Sequence, residues 1–413
     1  MADSDGQGAA LVDIRPLLQR LWPDPAKEKV TAKEISEALA HIFTNRLSPV
    51  QTGSLLTALH FTGWDRRADV LAEASAAMRH HAAKIDIASL EAAIAKRRRP
   101  EGKYNGGLCD IVGTGGDSHN TFNISTTSSI VASPLLLLAK HGNRASTSKS
   151  GSADLLMSME PVPARLERIT PATIASVYAR TNYAFLFAPV FHPGMRHVAA
   201  IRRELGWRTI FNLLGPLSNP LGDVVEARML GVARDDLGPI FAEALRLAGA
   251  RKGLVVCGAE QLDEVSCAGP TLCWQLVERE GGAGAGVAVE HFTLTPADFG
   301  LGTHPLHTVA PGREPRENAA ILRRLLRGEL APNDPILEFV LINTAAFLVA
   351  AGVCDADASA MGPGDDGRVV PERGPGGGRW KEGVRRARWA IDSGAAWRQW
   401  EAFALATDGL PAE

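Results

Sequence analysis

Short apolar runs that break into glycine-rich turns and then give way to helical periodicity predict an α/β protein behind a small helical bundle. Residues 1–104 hold capped stretches with apolar residues at helical spacing. From Leu108 the grammar changes to strand, glycine turn, helix. The densest turn chemistry, Asp110 to Asp154, begins inside the first of those strands. The expected architecture is an N-terminal helical domain over 1–104 packed on an α/β domain over 105–413, with a mainly parallel central sheet.

Residues 1–12 are small and polar and are expected to be disordered. Thr31-Ala-Lys-Glu34 is a capping box, followed by Ile35, Leu39, Ile42 and Phe43 at helical spacing. Ser48-Pro49-Val50-Gln51 reads as a second, with proline at the first helical position and Leu55, Leu56 and Leu59 behind it. Asp65 is placed to cap a third helix carrying Val70, Ala74, Ala77 and Met78. These stripes are packing surfaces and a candidate dimer face. The KRRR run at 96–99 reads as a solvated helix end in preference to a nucleic-acid contact.

Strands are expected over 108–112, 135–139, 185–188, 229–232 and 254–257, with 234–249 the helix between the last two. Proline inside a helix costs about 3 kcal/mol, so the helix before Pro134 should stop there and the strand start directly at Leu135. Segments 278–288 and 355–378 read as loop insertions, the second with the composition of a disordered segment. A helical pattern over 380–407 closes the fold, with helices over 193–216 joining the helical domain.

A net charge of −2 gives no general attraction for nucleic acid or anionic membrane, although it leaves a local basic patch open. The five cysteines have no metal spacing, which favours a reduced compartment. No apolar run reaches a membrane span, and the first residues lack a signal pattern, so a soluble cytoplasmic protein is expected.

Gly113-Thr-Gly-Gly-Asp117 after a strand lets backbone amides approach an anion, but a ligand-free tight turn needs the same glycines. It is neither the dinucleotide nor the P-loop pattern. Asp117 would repel bare phosphate; it suits a ribose or a metal. Asn123-Ile-Ser-Thr126 opens a helix, where Asn123 or Ser125 serves either as a cap or as a ligand donor. Lys140 and Arg144 flank His141-Gly142-Asn143 at a strand end before a run of hydroxyls, which favours anion binding over solvated surface charge. His141 is open to a base role or to positioning a ligand. Asp263-Glu264 beyond the strand at 254–257 is a candidate Mg²⁺ pair; an exposed acidic loop is the alternative.

Taken together, GTGGD, NIST, KHGNR, SKSGSAD, the stretch FLFAPVFHPGMRHVAAIRRELGWRTIFNLLGPLSNP at 185–220 and LDE at 262–264 resemble the anthranilate phosphoribosyltransferase family over most of the chain. That resemblance implies a nucleoside phosphorylase/phosphoribosyltransferase-type fold and a homodimer formed through the helical domain. It also implies transfer of phosphoribose from phosphoribosyl pyrophosphate (PRPP) to anthranilate in tryptophan biosynthesis, with Mg²⁺. For PRPP it implies Gly113, Gly116, Asp117, Thr121, Asn123, Ile124, Ser125, Thr126, Lys140, His141, Gly142, Asn143, Arg144, Ala145, Ser146, Thr147, Ser148 and Ser152. Anthranilate would meet Gly113, Asn143, His141 and Arg202, with the region from Pro189 to His192 lining its channel. Mg²⁺ would meet Ser125, Asp263 and Glu264.

No nucleophile–base pair stands out, as expected of catalysis by positioning and electrostatics. Two departures from the family pattern stand out: Ser118-His119 replaces a more usual glycine, with His119 expected to face solvent, and the stretch before KHGNR is one residue shorter and carries Pro134. A pyrimidine nucleoside phosphorylase-like enzyme and a non-catalytic nucleic-acid-binding relative are the rival readings. The anthranilate and metal residues and the net charge argue against both.

Overall fold

The computed structural model describes residues 10–145, 150–279, 286–309 and 314–411. The helical part consists of α1 (Arg15–Leu21), α2 (Ala32–Phe43), α3 (Pro49–Thr62), α4 (Ala68–His80) and α5 (Ile87–Ala95). The α/β part runs β1 (Leu108–Gly113), α6 (Ile124–Ala132), β2 (Leu137–Gly142), α7 (Ser152–Met157), α8 (Ile174–Tyr178) and β3 (Tyr183–Phe187). After it come α9 (Ala188–Phe191), α10 (Arg196–Leu205), α11 (Phe211–Leu214), β4 (Val225–Gly231), α12 (Leu237–Leu247) and β5 (Lys252–Gly258). The chain closes with β6 (Thr271–Arg279), β7 (Gly286–Leu294), α13 (Pro315–Leu326), α14 (Pro335–Ala351), α15 (Trp380–Asp392) and α16 (Ala395–Asp408).

The sheet order is β3-β2-β1-β4-β5-β6-β7. Strands β1 to β5 pair in parallel, and β6 and β7 add an antiparallel edge. Strands β1, β2 and β3 are buried nearly throughout, as a sheet covered on both faces requires. The largely apolar α14, nearly all of it buried, packs against α6 and α15 beside β4 and β5. A second apolar cluster joins α1–α4 to Val198, Ile210, Phe211 and the β4–β5 side of the sheet, so α10 and α11 pack with the helical bundle.

Local chemistry explains the elements and the departures from expectation. The Thr31 box closes in both directions, Glu34 N–H to Thr31 Oγ1 and Thr31 N–H to Glu34. The Ser48 box closes in one direction only. Ser48 accepts from Gln51 N–H, while the Gln51 side chain accepts from Ile14 N–H at 2.7 Å and so anchors α1. That anchor, with Val12 N–H on Arg46 O, orders 10–12, which composition alone marks as disordered.

Asp65 does not cap α4, whose N-cap is Arg67. It is buried against His60 Nδ1 at 3.1 Å. The strand after Pro134 begins at Leu137, not at Leu135, because a tight turn intervenes in which Leu135 and Leu136 both donate to Ala132 O. The 380–407 pattern is two helices, split where Gly394 adopts φ 71°. Residues 278–279 and 286–288 belong to the β6–β7 hairpin, with Glu278 opposite Val287, instead of an inserted loop; 280–285 lie outside the described residues. Segment 355–378 is ordered against α15: Val370 N–H donates to Glu382, Trp380 Nε1 to Pro375 O, and Arg373 pairs with Asp355.

Candidate active site at the sheet switch point

The chain leaves β1 toward β2 and β3 on one side and returns to β4 on the other, which opens a crevice at the carboxyl ends of β1 and β4. Both strands end on glycine, and Gly113 and Gly231 are paired in register. A Cβ on Gly113 would collide with Asp263 Oδ2, and one on Gly231 with Asp263 O. Glycine is therefore required at both ends for the loop after β5 to lie across them. Gly115 N–H then donates to Asp263 Oδ2 at 2.6 Å, joining the GTGGD turn to the LDE loop.

Ser118 adopts φ 63°, a left-handed conformation that glycine reaches more easily. His119 is not solvated as expected. Its Nε2 lies 2.7 Å from Glu260 O, a second tie between the two loops.

The floor of the crevice is crowded with carboxyl groups. Burial first, and then the facing Asp117 carboxylate, pushes Asp263 up to about 7. Burial followed by Asp263 and Asp117 holds Glu264 well above the usual carboxylate range. Glu264 is relieved by Lys140 and by the Ser125 N–H in the first turn of α6. The buried Lys140 is lowered by burial, which Asp110, Glu264 and Asp263 partly offset. Asp110, also buried, accepts from His141 N–H and Asn219 Nδ2, so it orients the KHGNR strand end.

Such crowded carboxylates suit a divalent cation, whose charge would remove their mutual repulsion. Among the described residues no group of three or more His, Cys, Asp or Glu encloses a metal. A Mg²⁺ ion here would take waters and substrate phosphates among its ligands.

Above this floor the α6 N-terminus and the α7 N-terminus meet. Asn123 is the N-cap of α6, yet its side chain caps nothing; Nδ2 donates to Ser150 O. Thr126 Oγ1 donates to Ser152 Oγ at 2.7 Å, while Thr121 and Ser125 are half-buried at the mouth. Asp154 Oδ2 accepts from both Ala145 N–H and Gly151 N–H and closes the base of the loop between β2 and α7. Gly142 and Ile124 pack at its root, and a Cβ on Gly142 would press into Phe185. Ser146, Thr147 and Ser148 lie outside the described residues. Arg144 is exposed and paired with Glu167 at 3.0 Å and Asp154 at 3.6 Å, and Asn143 is exposed beside it.

On the other wall His141 and His192 stack edge-on at 5.2 Å. Burial, then His192 and Lys140, keeps His141 well below the usual imidazole value, so it is neutral. Arg202 on α10 is held by Asn212 Oδ1 at 3.2 Å above the Phe211 ring. Burial and then Arg208 lower it. Arg208 Nη2 donates to Gly115 O at 3.3 Å, and a Cβ on Gly116, which has φ 75°, would meet its guanidinium. The crevice is thus acidic beside the strand ends and cationic toward α10.

The helical stretch 15–82 matches the model of the helical bundle domain of a glycosyl transferase family, and 105–397 matches that family's a/b domain. An anthranilate phosphoribosyltransferase from Schizosaccharomyces pombe is 40% identical over 92% of this chain and 94% of its own length. The chain belongs to the anthranilate phosphoribosyltransferase family.

A bacterial anthranilate phosphoribosyltransferase from Thermomicrobium roseum is 36% identical, covering 91% of this chain and 93% of its own. The Saccharomyces cerevisiae enzyme, solved in complex with PRPP and Mg, superposes with a TM-score of 0.76 at 31% identity, over 95% of this chain and 97% of that one. As a member of the anthranilate phosphoribosyltransferase family the chain is an enzyme of the glycosyltransferase type.

Four residues of this anthranilate phosphoribosyltransferase site escape a reading of the sequence. Arg208 and Asn212 lie inside a quoted motif, but nothing in their spacing points to Gly115 or Arg202. Asp154 reads as a helix-start acid until its two backbone donors are seen. Asp110 sits mid-strand, where its only signal is a charge inside an apolar run.

Proposed function

We propose that the crevice binds PRPP through its Mg²⁺-chelated diphosphate and presents the ribose anomeric carbon to the anthranilate amine. The product is N-(5-phosphoribosyl)anthranilate and pyrophosphate, in the tryptophan pathway. The observation that supports this most is the pairing of the crowded Asp117, Asp263 and Glu264 carboxylates with a cationic wall at Arg202 and Arg208. One side suits a metal-bound diphosphate and the other an aromatic carboxylate. Bound at Asp263 and Glu264, with Ser125, Mg²⁺ would draw negative charge from the departing diphosphate.

The protein's own groups do the rest. The N-terminal N–H groups of α6 and Lys140 face the phosphates. Asp117 faces the ribose or the metal, and Asn143, Arg144 and Ser152 close over the 5-phosphate side. Arg202 receives the anthranilate carboxylate, and neutral His141 and His192 flank its ring, leaving the amine unprotonated and placed. A weakly basic aromatic amine needs placement more than deprotonation, so no side chain serves as a covalent nucleophile.

A homodimer through the helical domain fits the exposed apolar Trp22 and Val50 beside a groove of about 750 Å³ between α1, α3 and α10. No described helix is long and apolar enough to cross a membrane. Loss of anthranilate fluorescence on adding PRPP and Mg²⁺, with no phosphorolysis of uridine or thymidine, tests the reading. Phosphorolysis without anthranilate consumption would replace it.

A further inference from the structure

A second polar cavity lies at the opposite end of the sheet, where the catalytic reading uses nothing. It encloses about 400 Å³, within the range of small-molecule sites, and is lined by Lys96, Arg97, Arg99, Asn182, Gln399 and the turn from Pro134 to Leu137. Strand β2 starts here at Leu137 and delivers Lys140 and His141 to the active crevice at its other end. At about 3.3 Å per residue, Lys140 and His141 lie about 10–13 Å along the strand from this cavity.

The cations are those of the KRRR run, which follows α5 directly. A solvated helix end explains Lys96, the C-cap of α5, but not Arg97. Arg97 is half-buried, and its Nε is fixed on Asn182 Oδ1 at 2.7 Å. Asn182 is itself tied to Ser133 O and Gln399 Oε1, so the fork is held rigid from behind. Among the described residues neither Nη of Arg97, nor Lys96 Nζ, makes a hydrogen bond, and none of the cations at 96–99 has a carboxylate partner. Burial alone lowers Arg97, with no neighbouring anion to offset it. Gln399 accepts from Thr181 Oγ1 and Asn182 N–H, which leaves its NH₂ as a further donor. Arg99 Nη1 already donates to Met361 O at 3.4 Å, so the unpaired donors of the cavity are those of Arg97, Lys96 and Gln399, with one guanidinium pre-oriented.

We propose that this cavity binds a small phosphate-bearing anion, with the Arg97 fork bidentate on the phosphate and Lys96 and Arg99 flanking it.

The test titrates the full chain, without Mg²⁺, with inorganic phosphate and with ribose 5-phosphate. It compares wild type with the double variant Arg97→Gln, Arg99→Gln and with Asn182→Ala, which keeps every charge but frees the fork. The expected result is a phosphate-binding event in wild type that weakens on the order of tenfold or more in the double variant and measurably in Asn182→Ala, while transfer activity stays unchanged in both and the double variant also keeps the wild-type unfolding temperature. Binding isotherms identical across the three proteins would overturn the proposal. So would a short RNA oligomer whose binding is lost in the double variant while phosphate binding is not, since the run would then be a nucleic-acid contact.

Discussion

Asp263 is held in a charge state that its surroundings resist. In the unfolded chain it releases its proton near the usual aspartate value, whereas the folded protein keeps it until about 7. Its contribution to stability is therefore fully present below the usual range and is lost as pH rises through about 7. Asp263→Asn is expected to raise the unfolding temperature of the metal-free protein at about pH 8, with the gain shrinking toward acid pH, while turnover falls roughly 100-fold or more. Differential scanning calorimetry beside a steady-state assay checks both halves; a variant both destabilised and active would contradict the assignment.

His192 behaves in the opposite sense. Burial lowers it from 6.5 to about 4, so the stability it contributes is present above 6.5 and lost as pH falls through about 4. The full difference is about 3 kcal/mol. His192→Gln, whose amide can still reach Ser218 O, is expected to flatten the acid limb of unfolding free energy across that window, as read by urea titrations.

At the scale of elements, the strand ends of β1 and β4 matter more than their interiors. Gly231→Ala would drive a Cβ into Asp263 O and is expected to cost about 2–3 kcal/mol and to displace the carboxylate loop, seen as loss of Mg²⁺-dependent activity beyond the loss of stability. The sequence signals Gly113 as half of a motif, but Gly231 is legible only once β1 and β4 are known to be neighbours.

Other elements divide in the same way. The Thr31 capping box is complete within four residues and can be read directly. The Ser48 box is diverted by a bond to Ile14, and Asp65 by a bond to His60, partners that sequence spacing does not reveal. Strand β7 carries alternating burial over Gly286–Leu294, yet the glycine-rich segment before it masks the hairpin. His119 looks like a surface substitution until Glu260 O is placed beside its ring.

For the whole molecule, the helical bundle and the sheet share one apolar cluster, so the crevice between them is set by packing on both sides. The carboxyl-crowded floor comes from residues 110–264 of the α/β part and the cationic wall from α10 and the turn after it. The motifs identify each group, but only the switch of strand order brings Asp117, Asp263 and Lys140 together. The groove between α1, α3 and α10 bears on assembly. A dimer is expected by analytical ultracentrifugation, and Val50→Glu, at the exposed lip of that groove, is expected to shift it to monomer. A wild-type monomer at micromolar concentration would refute that face.

The most direct measurement is steady-state pyrophosphate release with anthranilate, PRPP and Mg²⁺ each varied, in wild type, Arg202→Ala and Asp263→Asn. Release should require all three components. Arg202→Ala should raise KM for anthranilate by about tenfold to 100-fold with KM for PRPP unchanged, and Asp263→Asn should lose the Mg²⁺ response. Wild-type rates and KM values in both variants would contradict the proposed division of the crevice.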